Sequence, residues 1–129
     1  MIKHIKKFIG KGGYYKLDCN DSELYMLYYF LYDTGAETAA NYLKDKERTY
    51  IINEMVDARW SSSNNAAVLV ASCQLPDDLD KREFFILKFD NFKKMIEDWA
   101  ALEKKRVPEI YFIMDSEGSI TVRESLEEK

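Results

Sequence analysis

The clearest hydrophobic pattern in the chain lies between residues 90 and 105. Apolar side chains recur there at helical spacing, on Phe92, Met95, Ile96, Trp99 and Leu102. This spacing places them on one stripe of a helix, with charged residues on the opposite side. Asp90 has the residue type of an N-cap, and Pro108 prevents the helix from continuing. The pattern predicts an amphipathic α-helix over 90–105, with Trp99 packed in the core.

An alternating pattern begins at Tyr50 and predicts strands. Apolar residues occupy most alternate positions from Tyr50 to Trp60, so one half-buried strand is expected there. Serine and asparagine at 61–65 are typical of a turn, and 66–75 is the expected return strand of an antiparallel hairpin. Residues 83–89 are apolar on both faces, which predicts a third strand in a central position.

Shorter strands are expected near both ends of the chain. Residues 109–114 and 119–123 should form a hairpin around a tight turn at 115–118. Residues 14–17 are expected to form a short strand. The segment 2–9 has apolar residues near helical spacing with lysines between them, and both a short amphipathic helix and an edge strand are compatible with it.

Two helices are predicted between these segments. Asn20 and Glu23 have the spacing of a capping box, followed by the apolar run Leu24 to Tyr32, which should be a largely buried helix. A second capping-box pattern, Thr34 to Glu37, opens a helix that continues through Leu43. The two form an expected helical hairpin.

These elements predict an α+β fold in a single domain spanning residues 1–129. We expect a mainly antiparallel sheet of about five strands, packed against the N-terminal helical hairpin and the amphipathic helix 90–105. The length of 129 residues and the apolar share of 47% are sufficient for a real hydrophobic core.

Charge is distributed unevenly along the chain. Residues 1–17 contain five lysines and no acid, whereas residues 18–129 contain 14 basic and 23 acidic residues, a net charge of −9. An acidic body is unsuited to a phosphate backbone, so no nucleic-acid partner is expected. It favours a basic protein partner, because complementary charge steers association.

The sequence predicts neither an enzyme nor a metal or cofactor site. Cys19 and Cys73 are far apart and are expected to be free thiols, and the single histidine, His4, lies in the N-terminal segment. Nucleophilic catalysis and zinc binding both need paired ligands or a nearby base. There is no secretory h-region and no run long enough to cross a bilayer, so a cytoplasmic protein without membrane contact is expected.

Residues 84–122 carry a pattern of known type. A strand leads through an Asn-Phe pair into a Trp-bearing helix, and a Pro-bounded strand and a Gly turn follow, with matching residues Asn91, Phe92, Trp99, Pro108, Ile110 and Gly118. This half of the chain resembles small immunity proteins of bacterial contact-dependent growth inhibition and related polymorphic toxin systems. The resemblance implies a cytoplasmic inhibitor that binds one cognate toxin domain, often a nuclease, one to one and occludes its active or substrate-binding site.

Candidate partner-binding residues are acids on expected loops or outward strand positions, together with one aromatic residue beside a polar turn. They are Asp57, Trp60, Asp77, Asp78, Asp80, Asp115 and Glu117. An alternative function remains open, in which the tyrosine-rich helix 21–33 serves a non-catalytic accessory domain that binds a protein or a small ligand. The sequence does not determine the oligomeric state.

Overall fold

The computed structural model describes residues 2–71 and 84–126. Within these ranges the chain forms three α-helices, a short 3₁₀ helix and eight strands, so the predicted α+β class is confirmed. The described strands form two antiparallel sheets of four strands each. The expected single sheet of about five strands is therefore wrong. The reason is that the start of the chain pairs with its end instead of joining the strands in the middle.

The first sheet has the strand order β2-β1-β7-β8. Its strands are β1 (Lys3–Ile9), β2 (Tyr15–Cys19), β7 (Glu109–Met114) and β8 (Ile120–Arg123). Of the two alternatives for residues 2–9, a helix or an edge strand, the structure shows a strand. This strand, β1, lies inside the sheet and not at its edge. Ile5 faces Phe112 across the β1–β7 pair, and both side chains are fully buried. Burial of this apolar face fixes the register, because a slip of one residue would turn it to solvent.

The second sheet has the order β3-β4-β5-β6. Its strands are β3 (Tyr50–Ile51), β4 (Val56–Ser61), β5 (Ala66–Ala71) and β6 (Phe84–Leu87). The hairpin of β4 and β5 around the 61–65 turn is confirmed as far as residue 71. Residues 72–75 of the expected return strand lie outside the described residues.

The single strand expected from Tyr50 to Trp60 is wrong, because the chain turns between β3 and β4. The Asn53 N–H donates to Asp57 Oδ1 at 3.0 Å, and the Asn53 side chain donates to the Val56 carbonyl at 3.0 Å. The Met55 N–H donates to Asp33 Oδ2 at 3.1 Å. These bonds satisfy the backbone groups that a continuous strand would have paired in the sheet.

The helices begin and end close to the predicted positions. They are the 3₁₀ helix Ser22–Leu24, α1 (Tyr25–Asp33), α2 (Ala36–Lys44) and α3 (Phe89–Lys104). The predicted caps are different. Asp21 caps the 3₁₀ helix, Gly35 precedes α2 and Lys88 precedes α3, and the last two make no side-chain cap bond. Asn20 instead ties the chain to the start of β1, accepting from the His4 N–H and donating to the Ile2 carbonyl, both at 2.7 Å.

The helix α3 connects the two sheets through the core. It packs against β8 of the first sheet and β5 of the second. The Trp99 ring meets Phe112 edge-on at 5.7 Å between centroids, and Phe92 lies 5.7 Å from Trp60. The helix α1 packs against β4 and β5. The helices therefore cover the inner face of the second sheet and leave its outer face without a helix among the described residues.

The longest described helix, α3, has 16 residues. Within residues 2–71 and 84–126, no helix combines the length and apolar composition that crossing a bilayer requires.

Candidate interaction surface

The outer face of the second sheet is apolar at its centre. Strand register aligns Val68 with Ile86 and Val70 with Phe84 across the β5–β6 pair. Because successive side chains on a strand alternate between faces, these four residues share the face opposite the core. The valines are half-buried, whereas Phe84 is 53% and Ile86 65% exposed. We call these four residues the outer patch.

Within the described residues the strand β6 lies at the edge of its sheet, and not in the predicted central position. Among the described residues only β5 pairs with it. Phe85 and Leu87 are buried against the core, while Phe84 and Ile86 project outward. The sequence showed apolar residues on both faces, which is typical of a central strand. Here one apolar face remains in contact with solvent.

A cleft runs along the edge of β6 that has no partner strand among residues 2–71 and 84–126. It consists of two adjoining cavities of about 650 and 590 Å³. Phe85, Ile86 and Met114 line both of them, and Tyr25 and Ile2 each line one. Volumes of this order are typical of binding sites in proteins. We call this feature the edge cleft.

Acidic residues border the edge cleft. The carboxylate of Glu23 holds Lys3 Nζ at 2.7 Å, which raises the pKa of that lysine and neutralises the pair. Asp115 Oδ1 accepts the N–H groups of Glu117 and Ser119 at 2.9 and 3.0 Å, so this carboxylate shapes the β7–β8 turn. Within the described ranges neither Asp115 nor Glu117 forms an ion pair. Their negative charges are therefore available at the mouth of the cleft.

The structure brings two of the predicted acids, Asp115 and Glu117, to one site. Asp57 lies on the outer face in register with Val70, but its carboxylate also holds the turn before β4. Trp60 is 8% exposed and packs on Phe92, so its assignment to a partner contact is corrected to a core role.

The remaining predicted acids, Asp77, Asp78 and Asp80, lie outside the described residues. Phe84 and Ile86 are not among the predicted surface residues. The uncharged run Phe84 to Leu87 is the available signal, but such a run is also typical of a central strand.

The tyrosine-rich helix α1 is only partly buried. Tyr28 and Tyr32 stack with ring centroids 6.4 Å apart, and Tyr32 is 64% exposed. Tyr25 is 48% exposed and lines the edge cleft. The prediction of a largely buried helix is therefore confirmed for one face only. The buried residues of that face are Met26, Leu27, Phe30 and Leu31. Tyr25 and the buried Met26 connect this helix to the candidate surface.

The described residues contain no group of three or more His, Cys, Asp or Glu side chains arranged to hold a metal ion. Cys19 is a free thiol whose pKa is raised by burial. Its sulfhydryl group donates to the Asp21 carbonyl at 3.2 Å.

No family model, curated protein or solved structure matches the chain. The resemblance of residues 84–122 to immunity proteins stays a prediction. In the structure its matched residues serve packing: Asn91 binds the backbone of Ile120, and Phe92 and Trp99 are fully buried.

Proposed function

We propose that this protein is an immunity protein that binds a cognate, basic bacterial toxin domain one to one and blocks its active or substrate-binding site. The observation that carries the proposal is the exposed pair Phe84 and Ile86 on the edge cleft, which Asp115 and Glu117 border without an ion pair to any described residue. The resemblance of residues 84–122 and the acidic body of the chain point in the same direction.

Apolar and charged groups contribute differently to such a complex. Protein interfaces bury an apolar centre and keep a polar rim in contact with water. Phe84 and Ile86 lose their hydration on binding, while the acids attract a basic partner and raise the association rate. A nuclease must hold phosphate and therefore has a basic active site, which an acidic surface complements.

A second candidate function is favoured by the position of Tyr25. This exposed tyrosine and Met26 line a cavity of about 590 Å³, a size typical of small-ligand sites. An accessory domain that binds a small molecule there would be stabilised by that ligand, whereas an inhibitor would be stabilised by its protein partner.

The deciding experiment uses the reading frame next to this gene. Its C-terminal segment is expressed in a bacterial host with and without this protein. We expect growth arrest, rescue by this protein and a complex of one copy of each. A harmless neighbour, or toxicity that this protein does not relieve, would overturn the proposal.

Matched variants then locate the surface. Glu117→Lys reverses a charge at the cleft without removing a turn contact, because only its backbone N–H is used there. Glu124→Lys makes the same change at the exposed far end of β8. We expect slower association for the Glu117 variant alone, and the difference should shrink at high salt. Equal rates for both variants would remove this end of the cleft from the interface.

A further inference from the structure

We propose that the free edge of β6 accepts an extended segment of the partner as an added strand of the second sheet. The segment has apolar residues at its centre and Lys or Arg residues flanking them. This inference rests on the proposed function and assigns the partner's binding element.

The composition of the sheet edges supports this assignment. Natural proteins protect edge strands with charged side chains or by making them very short, because an open edge pairs with other chains. In the described residues, the edge strand β2 carries Lys16 and Asp18, β8 carries Arg123, and β3 is two residues long. The strand β6, Phe84–Leu87, has four residues and no charge. It alone of these edges combines length with a fully apolar sequence.

Backbone groups on the outer edge of β6 have no partner strand in the part of the chain that the structure describes. In an antiparallel pair, alternate residues exchange hydrogen bonds with the neighbouring strand, and the residues between them direct N–H and C=O away from it. Two of the four residues in Phe84–Leu87 therefore direct these groups toward the edge cleft. Strand addition to such an edge derives affinity from main-chain bonds and selectivity from side-chain pockets.

The walls of the cleft suit alternating side chains. On an added strand, every second side chain would extend the outer patch beside Phe84 and Ile86. The side chains between them would enter the edge cleft toward Met114 and Tyr25. These walls are mainly apolar, so the centre of the segment should be apolar.

Acidic residues lie toward both ends of β6. Glu117 lines a cavity shared with Leu87, and Glu23, which already holds Lys3 at 2.7 Å, lines the cavity that reaches Phe84. A cationic residue at one end of the segment would meet Glu117 directly, and one at the other end would compete with Lys3 for Glu23. A second copy of this chain would instead bring carboxylates together at the same edge, and like charges oppose that pairing.

The test uses the full chain and a capped seven-residue peptide with three central valines and two lysines on each side of them. A matched peptide carries glutamate in place of lysine, and a third has proline at its centre. Amide hydrogen exchange is followed by NMR. We expect the lysine peptide to slow exchange of the two outward-facing amides of Phe84–Leu87 by about tenfold or more. The glutamate peptide, through charge, and the proline peptide, through its missing N–H, should leave them unchanged.

A matched pair of variants of this protein provides the control. Ile86→Lys places a charge on the edge and should weaken peptide binding by about tenfold or more. Tyr14→Lys makes a similar change at a residue that is 78% exposed and lines neither cavity of the edge cleft, and it should leave binding within about twofold. Circular dichroism confirms that both variants are folded.

Three outcomes would overturn the inference. The first is amide exchange at Phe84–Leu87 that millimolar lysine peptide does not slow, and the second is equal binding of the glutamate peptide. The third is exchange that slows without peptide as the protein concentration rises, which would assign the edge to a second copy of this chain. Failure of the proposed function is distinguishable. A toxin domain that is neutralised while these amides stay unprotected refutes strand addition alone. Peptide pairing without any toxin binding refutes the immunity function alone.

Discussion

Replacing Asn91 by alanine removes two hydrogen bonds that tie the start of α3 to β8. Asn91 Oδ1 accepts the Ile120 N–H at 2.9 Å, and Asn91 Nδ2 donates to the Ile120 carbonyl at 2.7 Å. Each bond contributes roughly 0.5–1.5 kcal/mol net, so the expected loss is about 1–3 kcal/mol. Ile120 is 3% exposed, so water reaches the freed backbone groups poorly and the loss should lie in the upper half of that range.

A second variant separates the two bonds. Asn91→Asp keeps an acceptor for the Ile120 N–H but sets a carboxylate oxygen against the Ile120 carbonyl. This repulsion raises the pKa of the introduced carboxyl in the folded state above its unfolded value of about 3.9. Because this pKa is raised, the stability of the variant relative to the wild type is greatest at low pH. It falls as the pH rises through the pKa of the carboxyl in the folded state. The variant should therefore approach the wild type near pH 4 and lose stability toward pH 7.

Urea unfolding followed by circular dichroism measures these differences as free energies of unfolding. Asn64→Ala is the matched control, because Asn64 is an exposed turn residue, and it should change stability by less than about 0.5 kcal/mol. If Asn91→Ala also stays within about 0.5 kcal/mol of the wild type, the two bonds do not hold α3 to the sheet and the reasoning is refuted.

Three further predictions concern the buried polar cluster beside the first sheet. Trp99 is fully buried, so Trp99→Ala should cost about 3–5 kcal/mol in the same urea assay, and a loss below about 1 kcal/mol would contradict its core role. Glu103 accepts from the Trp99 ring N–H and pairs with the buried Lys7 ammonium. Glu103→Gln keeps the acceptor but removes the charge, so it should lower the free energy of unfolding by roughly 1.5–3 kcal/mol, and by less in high salt. A stability equal to that of the wild type would show that the ion pair contributes nothing. The Tyr15 hydroxyl donates to the Val107 carbonyl at 2.9 Å, and burial, followed by the Glu103 charge, raises its pKa. Tyr15→Phe should cost about 0.5–1.5 kcal/mol at pH 7. Because the folded-state pKa is raised, the contribution of the Tyr15 hydroxyl to stability is complete below about pH 10 and is lost above it. The difference in stability between the wild type and the phenylalanine variant should therefore shrink by about pH 11. A difference that stays constant with pH would contradict this.

Local patterns in the sequence determined the elements that depend on neighbours along the chain. The apolar stripe of 90–105 predicted α3 to within one residue at each end, because helical spacing alone brings those side chains to one face. The hairpin around 61–65 and the turn at 115–118 also followed from local residue types. The acids Asp115 and Glu117 were found as candidates because turn residues lie at the surface.

Tertiary structure decided which segments meet and what remains uncovered. The strand β1 became central only through its pairing with β7, about a hundred residues later in the chain. The break before β4 depends on hydrogen bonds from Asp33 and Asp57, which no alternating pattern contains. Apolar residues on both faces of β6 predicted burial, yet whether a strand is central depends on what pairs beside it. Only the tertiary structure identified Phe84 and Ile86 as surface residues. The reason is that the exposure of a side chain depends on how the layers of the fold pack, and not on the residue type alone.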